Sequence, residues 1–169
     1  EIGLGTTCAT LSDGSDLRCW GKNDLGQVGD GTRISRELPT PVVGLPPGFR
    51  PKAMSFGSYH ACAVGSDGDL WCWGHNAFGQ ITDPDAGEVI VRPLEVVREG
   101  VVDVAAGQGT TCALLANGDT ECWGHRFNPK APPTVVPLPA NATALFKARL
   151  DVCAVLDDHR TVCWRGETP

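Results

Sequence analysis

The chain has 169 residues, 41% of them hydrophobic and 20% charged, which is the size and balance of one globular domain rather than a disordered segment. Gly (21) and Pro (13) together make up a fifth of it, which excludes long helices and favours short strands joined by tight turns. A net charge of −6, with only four Lys among 14 basic residues and none of the 14 in a run, argues against nucleic acid as a partner; no apolar run reaches the roughly 20 residues of a membrane-spanning helix.

The eight cysteines set the organisation. They fall in pairs at 8 and 19, 62 and 72, 112 and 122, and 153 and 163. Each first cysteine is followed by alanine (Ala9, Ala63, Ala113, Ala154) and each second by tryptophan (Trp20, Trp73, Trp123, Trp164). A glycine comes next in three of the four (Gly21, Gly74, Gly124). The second cysteines recur at steps of 53, 50 and 41 residues, a period that indicates a repeat architecture. Repeat units are expected at about 1–52, 53–102, 103–146 and 147–169, the last incomplete.

In chain order, each unit predicts an antiparallel hairpin. The first, between Cys8 and Cys19, carries one extra loop residue and is expected to bulge. The second turns through Ser66-Asp67-Gly68, a three-residue loop with Gly where positive φ is wanted, which sets Val64 opposite Leu70 and Cys62 opposite Cys72. The third turns through Ala116-Asn117-Gly118 and sets Cys112 opposite Cys122. The fourth has Asp157-Asp158-His159 where Gly is expected, a more strained version of the same turn. Between hairpins the chain repeats Pro-x-x-Val-Val at 39–43, 93–97 and 132–136, and Asn-x-x-Gly-Gln at 23–27 and 76–80. Alternation then places the cysteines, Val64 and Leu70 on one face, and Ala61, Ala63, Trp71 and Trp73 on the other. The tryptophans are read as packing between stacked sheets, the small alanine making room for the indole.

His60-x-Cys62 with Cys72-x-x-His75 is on paper a Cys₂His₂ zinc set. The other repeats keep their cysteines without the histidines, so four bridges, Cys8–Cys19, Cys62–Cys72, Cys112–Cys122 and Cys153–Cys163, explain all eight with one rule and no metal. Opposed positions in an antiparallel pair lie close enough for this. Persistent bridges imply an extracytoplasmic compartment: periplasm, cell surface or secretion.

The recurring Cys-Ala and Asp/Asn-Gly, then Cys-Trp-Gly-x-Asn-x-x-Gly-Gln, resemble the repeat of the regulator-of-chromosome-condensation propeller family, in its secreted bacterial, cysteine-paired variety. Gln27-Val28-Gly29-Asp30-Gly31-Thr32 is a close match to one stretch of that repeat. The resemblance covers nearly the whole chain. It implies an all-β propeller of four-stranded blades around a channel. Since the family usually has seven blades, it also implies an open arc of a larger ring, roughly three complete blades and a partial one. The chain reads as a mature protein or a fragment, its first unit lacking the strand before Gly3 and its fourth ending just past Trp164.

No nucleophile–base constellation, Gly-x-Ser-x-Gly elbow or phosphate-binding loop stands out, and no cofactor is implied. Asp83 and Asp85 lack the spacing of a calcium loop and read as an acidic surface loop; Asn141-Ala142-Thr143 is a sequon read as a loop asparagine. The expected function is a non-enzymatic protein-interaction or structural module, as a subunit of a larger surface or envelope assembly, whose partner is a protein or further blades of the same propeller. An inhibitor-like or ligand-recognition propeller is the alternative, and a propeller hydrolase the third reading. Candidate contact residues follow each Trp-Gly: Lys22, Asn23, His75, Asn76, His125 and Arg126, with Phe78 and Phe127 as anchors. For Asn23 and Asn76 the competing role is to satisfy turn backbone groups.

Overall fold

The computed structural model describes residues 5–10, 16–82, 84–97, 99–125, 127, 133–148 and 151–164. The strands come in four groups along the chain. The first group is β1 (Thr6–Thr10), β2 (Leu17–Gly21) and β3 (Arg36–Pro41). The second is β4 (Pro51–Phe56), β5 (His60–Gly65), β6 (Leu70–His75) and β7 (Val89–Val97). The third is β8 (Val101–Ala106), β9 (Thr110–Leu115), β10 (Thr120–Gly124) and β11 (Thr134–Val135). The fourth is β12 (Ala142–Ala148), β13 (Asp151–Leu156) and β14 (Thr161–Trp164). Each group forms its own antiparallel meander, with strand orders β1-β2-β3, β4-β5-β6-β7, β8-β9-β10-β11 and β12-β13-β14.

The hairpin registers are those set by the turns. Cys8 faces Cys19, Cys62 faces Cys72, Cys112 faces Cys122 and Cys153 faces Cys163, and each facing pair is a disulfide with Cα atoms 4.0–4.1 Å apart. No cysteine is free. Gly68 (φ 93°) and Gly118 (φ 91°) occupy the left-handed region at the two regular turns. In the fourth turn His159 takes that conformation itself, at φ 68°, where a side chain is strained. The extra residue expected in the first hairpin falls at 11–15, outside the described residues.

Packing runs between sheets. Cys8, Leu17, Cys19 and Val28 of the first unit meet Phe56, Ala61, Ala63 and Trp73 of the second. Cys62, Val64, Leu70, Cys72 and Ile81 of the second meet Val104, Ala113 and Trp123 of the third. Cys112, Leu114 and Cys122 of the third meet Ala154 and Trp164 of the fourth. One rule therefore recurs three times: the disulfide face of one sheet receives the Ala–Trp face of the next. Neighbouring sheets converge on their inner strands, β4 on β8 and β8 on β12. There, side chains bond across to backbone, Ser55 Oγ accepting from Ala106 N (3.0 Å) and Asp103 Oδ2 from Leu145 N (2.8 Å). Lys147 Nζ reaches from the fourth sheet past the third to donate to Phe56 O of the second (2.6 Å).

This is a β-propeller arc. Among the described residues no hydrophobic cluster joins the first sheet to the fourth. Among the described residues two sheets are four-stranded and two three-stranded, and nothing covers the two end faces. Trp20 is only half-buried, and Phe146, opposite Cys153, is 41% exposed.

Candidate functional site

Strand direction assigns the loops to two rims. The tight turns at 66–68, 116–118 and 157–159 lie at one end of the blades. The segments after each Trp-Gly, and the short links 57–59 and 107–109 between β4 and β5 and between β8 and β9, lie at the other. That second rim holds the sequence-derived contact residues.

It divides them sharply. Asn23 and Asn76 are fully buried. Asn23 Oδ1 accepts from Val28 N (2.8 Å), while its Nδ2 donates to Thr32 O and Ile34 O (3.1 and 3.0 Å). Asn76 Oδ1 accepts from Ile81 N and Thr82 N (3.0 Å each), and Nδ2 donates to Gly87 O (3.0 Å). Both asparagines replace missing loop backbone partners, as turn asparagines do, and are corrected out of the contact set. Phe127 is corrected too. At 5% exposure it packs into the core between the third and fourth sheets, its N–H donating to Gly124 O at 2.9 Å. Arg126 and Asp83 lie outside the described residues.

Lys22, His75, Phe78 and His125 remain at the surface, and they converge. With Tyr59, the rings form an edge-to-face series: Tyr59–His75 at 6.3 Å between centroids, His75–Phe78 at 5.7 Å and Phe78–His125 at 4.9 Å. Lys22 Nζ stands 5.7 Å from the Tyr59 centroid, extending the series into the first blade. Phe78, 46% exposed, is its apolar centre. Tyr59, His75, Phe78, Gln108, Gly109 and His125 line an open cleft of about 280 Å³ across the second and third blades.

The cleft comes from one substitution between repeats. Tyr59 and Gly109 hold equivalent places, each the last residue before β5 or β9. Tyr59 rises as a wall. At Gly109 a Cβ would stand 3.2 Å from Phe78 Cδ2 and 3.3 Å from His125 Cβ, so glycine leaves the floor clear. Sequence reasoning found the loops but missed Tyr59, Gln108 and Gly109, which precede the strand carrying the first cysteine. Comparing Ser58-Tyr59 with Gln108-Gly109 across repeats was the available signal.

Gln80 fixes the chemistry of His75. Its Oε1 accepts from Phe78 N (2.9 Å), so its Nε2 is the donor in the 2.9 Å contact with His75 Nδ1. His75 therefore carries its proton on Nε2. Burial lowers the affinity of this imidazole for a second proton, against the raising effect of Glu88, and the ring is neutral at pH 7. His60, below the rim, is different. It is sealed between the second and third sheets, with Nε2 2.9 Å from Thr111 Oγ1, which donates its own proton to Gln80 O (2.6 Å). His60 Nδ1 has no partner, and burial, then the charges of His75 and Lys147, lower its pKa to about 3.

The zinc set of the second repeat does not assemble. Cys62 and Cys72 spend their sulfurs on each other, and His60 faces Thr111.

Residues 18–64 and 52–80 match the regulator of chromosome condensation (RCC1) repeat. The human E3 ubiquitin-protein ligase HERC2 is 29% identical over 107 residues, 62% of this chain and 2% of that protein. Among solved structures, human WBSCR16 superposes with a TM-score of 0.83 at 20% identity, covering 96% of this chain and 46% of that one. Yeast RCC1 (Prp20), solved bound to Kap60, gives 0.75 at 21% identity, covering 96% and 42%. The chain thus spans less than half of these propellers and a small fraction of the ligase. Residues 18–80 thus carry RCC1-type repeats, and the arc as a whole has the fold of the RCC1 propellers.

Proposed function

We propose that this arc is a non-enzymatic, extracytoplasmic protein-interaction module whose contact face is the rim bearing Lys22, Tyr59, His75, Phe78 and His125. The observation that carries the reading is the cleft, where an exposed phenylalanine is ringed by Tyr59, Gln108 and His125, whose side chains make no hydrogen bond to described residues, and by His75, bonded only through Nδ1 to Gln80. A concave apolar centre with a few convergent polar groups is what a recognition site requires. Four disulfides support an oxidising compartment.

A hydrolase reading finds little support. The hydroxyl–imidazole pair closest to a nucleophile and base, Thr111 with His60, is sealed between sheets where no substrate reaches it. The Kap60 complex of yeast RCC1 supports the scaffold's capacity to hold a protein partner. The open disulfide face of the fourth sheet, with Phe146 exposed, favours a second surface that receives a further blade or another subunit.

The test is site-specific photo-cross-linking in the native compartment, with the probe at position 78 and a control at position 117 on the opposite rim. Adducts from position 78 that vanish in Tyr59→Ala are expected. Equal adducts from both rims would overturn the assignment.

A further inference from the structure

We propose that the rim cleft binds a carboxylate side chain presented by an acidic peptide segment of its protein partner. This rests on the rim being a contact face and goes on to name the chemistry of what it holds.

The cleft is lined by hydrogen-bond donors that the described residues leave unused. Gln80 forces the His75 proton onto Nε2, and no described residue accepts it. The Tyr59 hydroxyl, the Gln108 amide and the His125 ring likewise have no hydrogen-bond partner among the described residues and line the same cleft. Lys22, over Tyr59 and paired with Asp24, brings its ammonium to the edge. No carboxylate lines the cleft. Two acids act on it from outside the lining: Asp24 holds Lys22 Nζ at 3.4 Å, and Glu88 acts electrostatically on His75.

Each of these donors can turn to one guest, and a carboxylate accepts up to four hydrogen bonds with charge assistance. A guanidinium or ammonium would meet the His75 N–H and the Lys22 cation head-on. A wholly apolar guest would strip water from four polar groups and return nothing. Phe78 has a separate role, since its exposed ring gives an aliphatic or aromatic neighbour of the acid a place to lie. An extended segment pairing an acid with an apolar residue therefore fits better than a free carboxylate. The chain's net charge of −6 repels such a segment at long range, so recognition depends on the local donors and not on steering.

The experiment titrates the full chain with four probes, following the ¹H–¹⁵N imidazole signals of His75 and His125. The probes are a Gly-Glu-Leu-Gly peptide, its Gln isostere, its Arg counterpart, and free glutamate. The expected result is saturable shifts with the Glu peptide, at least tenfold weaker binding of the Gln and Arg peptides, and weaker binding of free glutamate than of the Glu peptide. Tyr59→Phe and Lys22→Gln, both conservative at the surface, should each weaken the Glu peptide severalfold and leave the Gln peptide unchanged.

Equal binding of Glu and Gln peptides, preference for Arg, or free glutamate binding as tightly as the peptide would overturn the proposal. So would no shift with the Glu peptide at millimolar concentration. The rim assignment is judged separately, by the cross-links at position 78. If those persist while the Glu peptide fails, the face stands and its named guest does not.

Discussion

The contact between the first two blades can be tested through one atom. Trp73 is fully buried, and its Nε1 donates to Gln27 O of the preceding blade at 2.9 Å. Trp123 occupies the same position one blade on, 6% exposed, but its Nε1 has no partner among the described residues. The reason lies in the loop, since the corresponding carbonyl, Gln80 O, is taken by Thr111 Oγ1. Replacing either tryptophan by Phe removes similar packing, part of the roughly 3–5 kcal/mol that truncating a large aromatic costs. Only Trp73→Phe also strands a buried carbonyl, at about 1–3 kcal/mol. Trp73→Phe should therefore be the costlier change by about 1–3 kcal/mol, with about 2–4 °C of midpoint for each kcal/mol in a chain of this size. Urea and thermal unfolding of the oxidised protein, followed by far-ultraviolet circular dichroism, measures the difference. Equal losses in the two variants would show that the hydrogen bond between blades contributes nothing, and the reasoning would be refuted.

The turns give a second test. Gly68→Val should cost about 1 kcal/mol or more, and more than Gly118→Val, because a Cβ at 68 meets Gly100 N at 3.0 Å while one at 118 has only ordinary contacts. His159→Gly should instead stabilise by about 0.5–1 kcal/mol by relieving its positive φ, and a lower unfolding midpoint would contradict this. His60 predicts an acid response. Its folded pKa lies near 3 against about 6.5 unfolded, so the unfolded chain binds the extra proton below pH 6.5. Stability is then full above 6.5 and falls by up to about 1.4 kcal/mol per pH unit towards 3, a slope that His60→Gln should flatten. At Asp30, burial works to raise the pKa, but the hydrogen bonds from Thr32 and Arg36 outweigh it and hold the carboxyl below its ordinary range. It adds a further loss only in stronger acid, through that range. Finally, Cys153–Cys163 should be the first bridge reduced, since Cys163 is exposed while both residues of each other bridge are buried. Differential alkylation and mass spectrometry at rising dithiothreitol would show it, and prior loss of Cys62–Cys72 would count against the packing described here.

The hairpins were legible because their information is local. A Gly three residues past Gly65 or Leu115 sets the turn, the turn sets the register, and the register brings cysteine to cysteine. The division of each hairpin into a cysteine face and an Ala–Trp face followed from alternation, whereas the docking of one sheet's disulfide face on the next sheet's Ala–Trp face is seen only in the structure. The role of the loop asparagines was also readable, though only as one of two alternatives. Asn-x-x-Gly-Gln looks equally like a polar contact loop and a self-satisfied turn until the carbonyls of Thr32, Ile34 and Gly87 are seen to converge on the amides.

The cleft was only half legible, for a physical reason. Its residues come from two blades and two kinds of segment, and none of its contacts is local in sequence except His75 with Phe78 and Gln80. Phe78 and Phe127 follow a Trp-Gly by similar distances, yet one is exposed and the other buried. The third repeat lacks the Asn-x-x-Gly-Gln element that carries Phe78 outward in the second. There Phe127 packs into the seam with the fourth blade. The Asn–Gln frame should then decide whether an aromatic after Trp-Gly becomes core or surface. Transplanting it should be sufficient to redirect one: inserting the 76–82 loop in place of 126–131 should expose an aromatic at the third blade. Iodide quenching would not see phenylalanine, so the inserted aromatic is best made Trp. A quenched, solvent-exposed emission is the expected result, and a blue-shifted, protected one would mean that blade position rather than loop sequence sets the outcome.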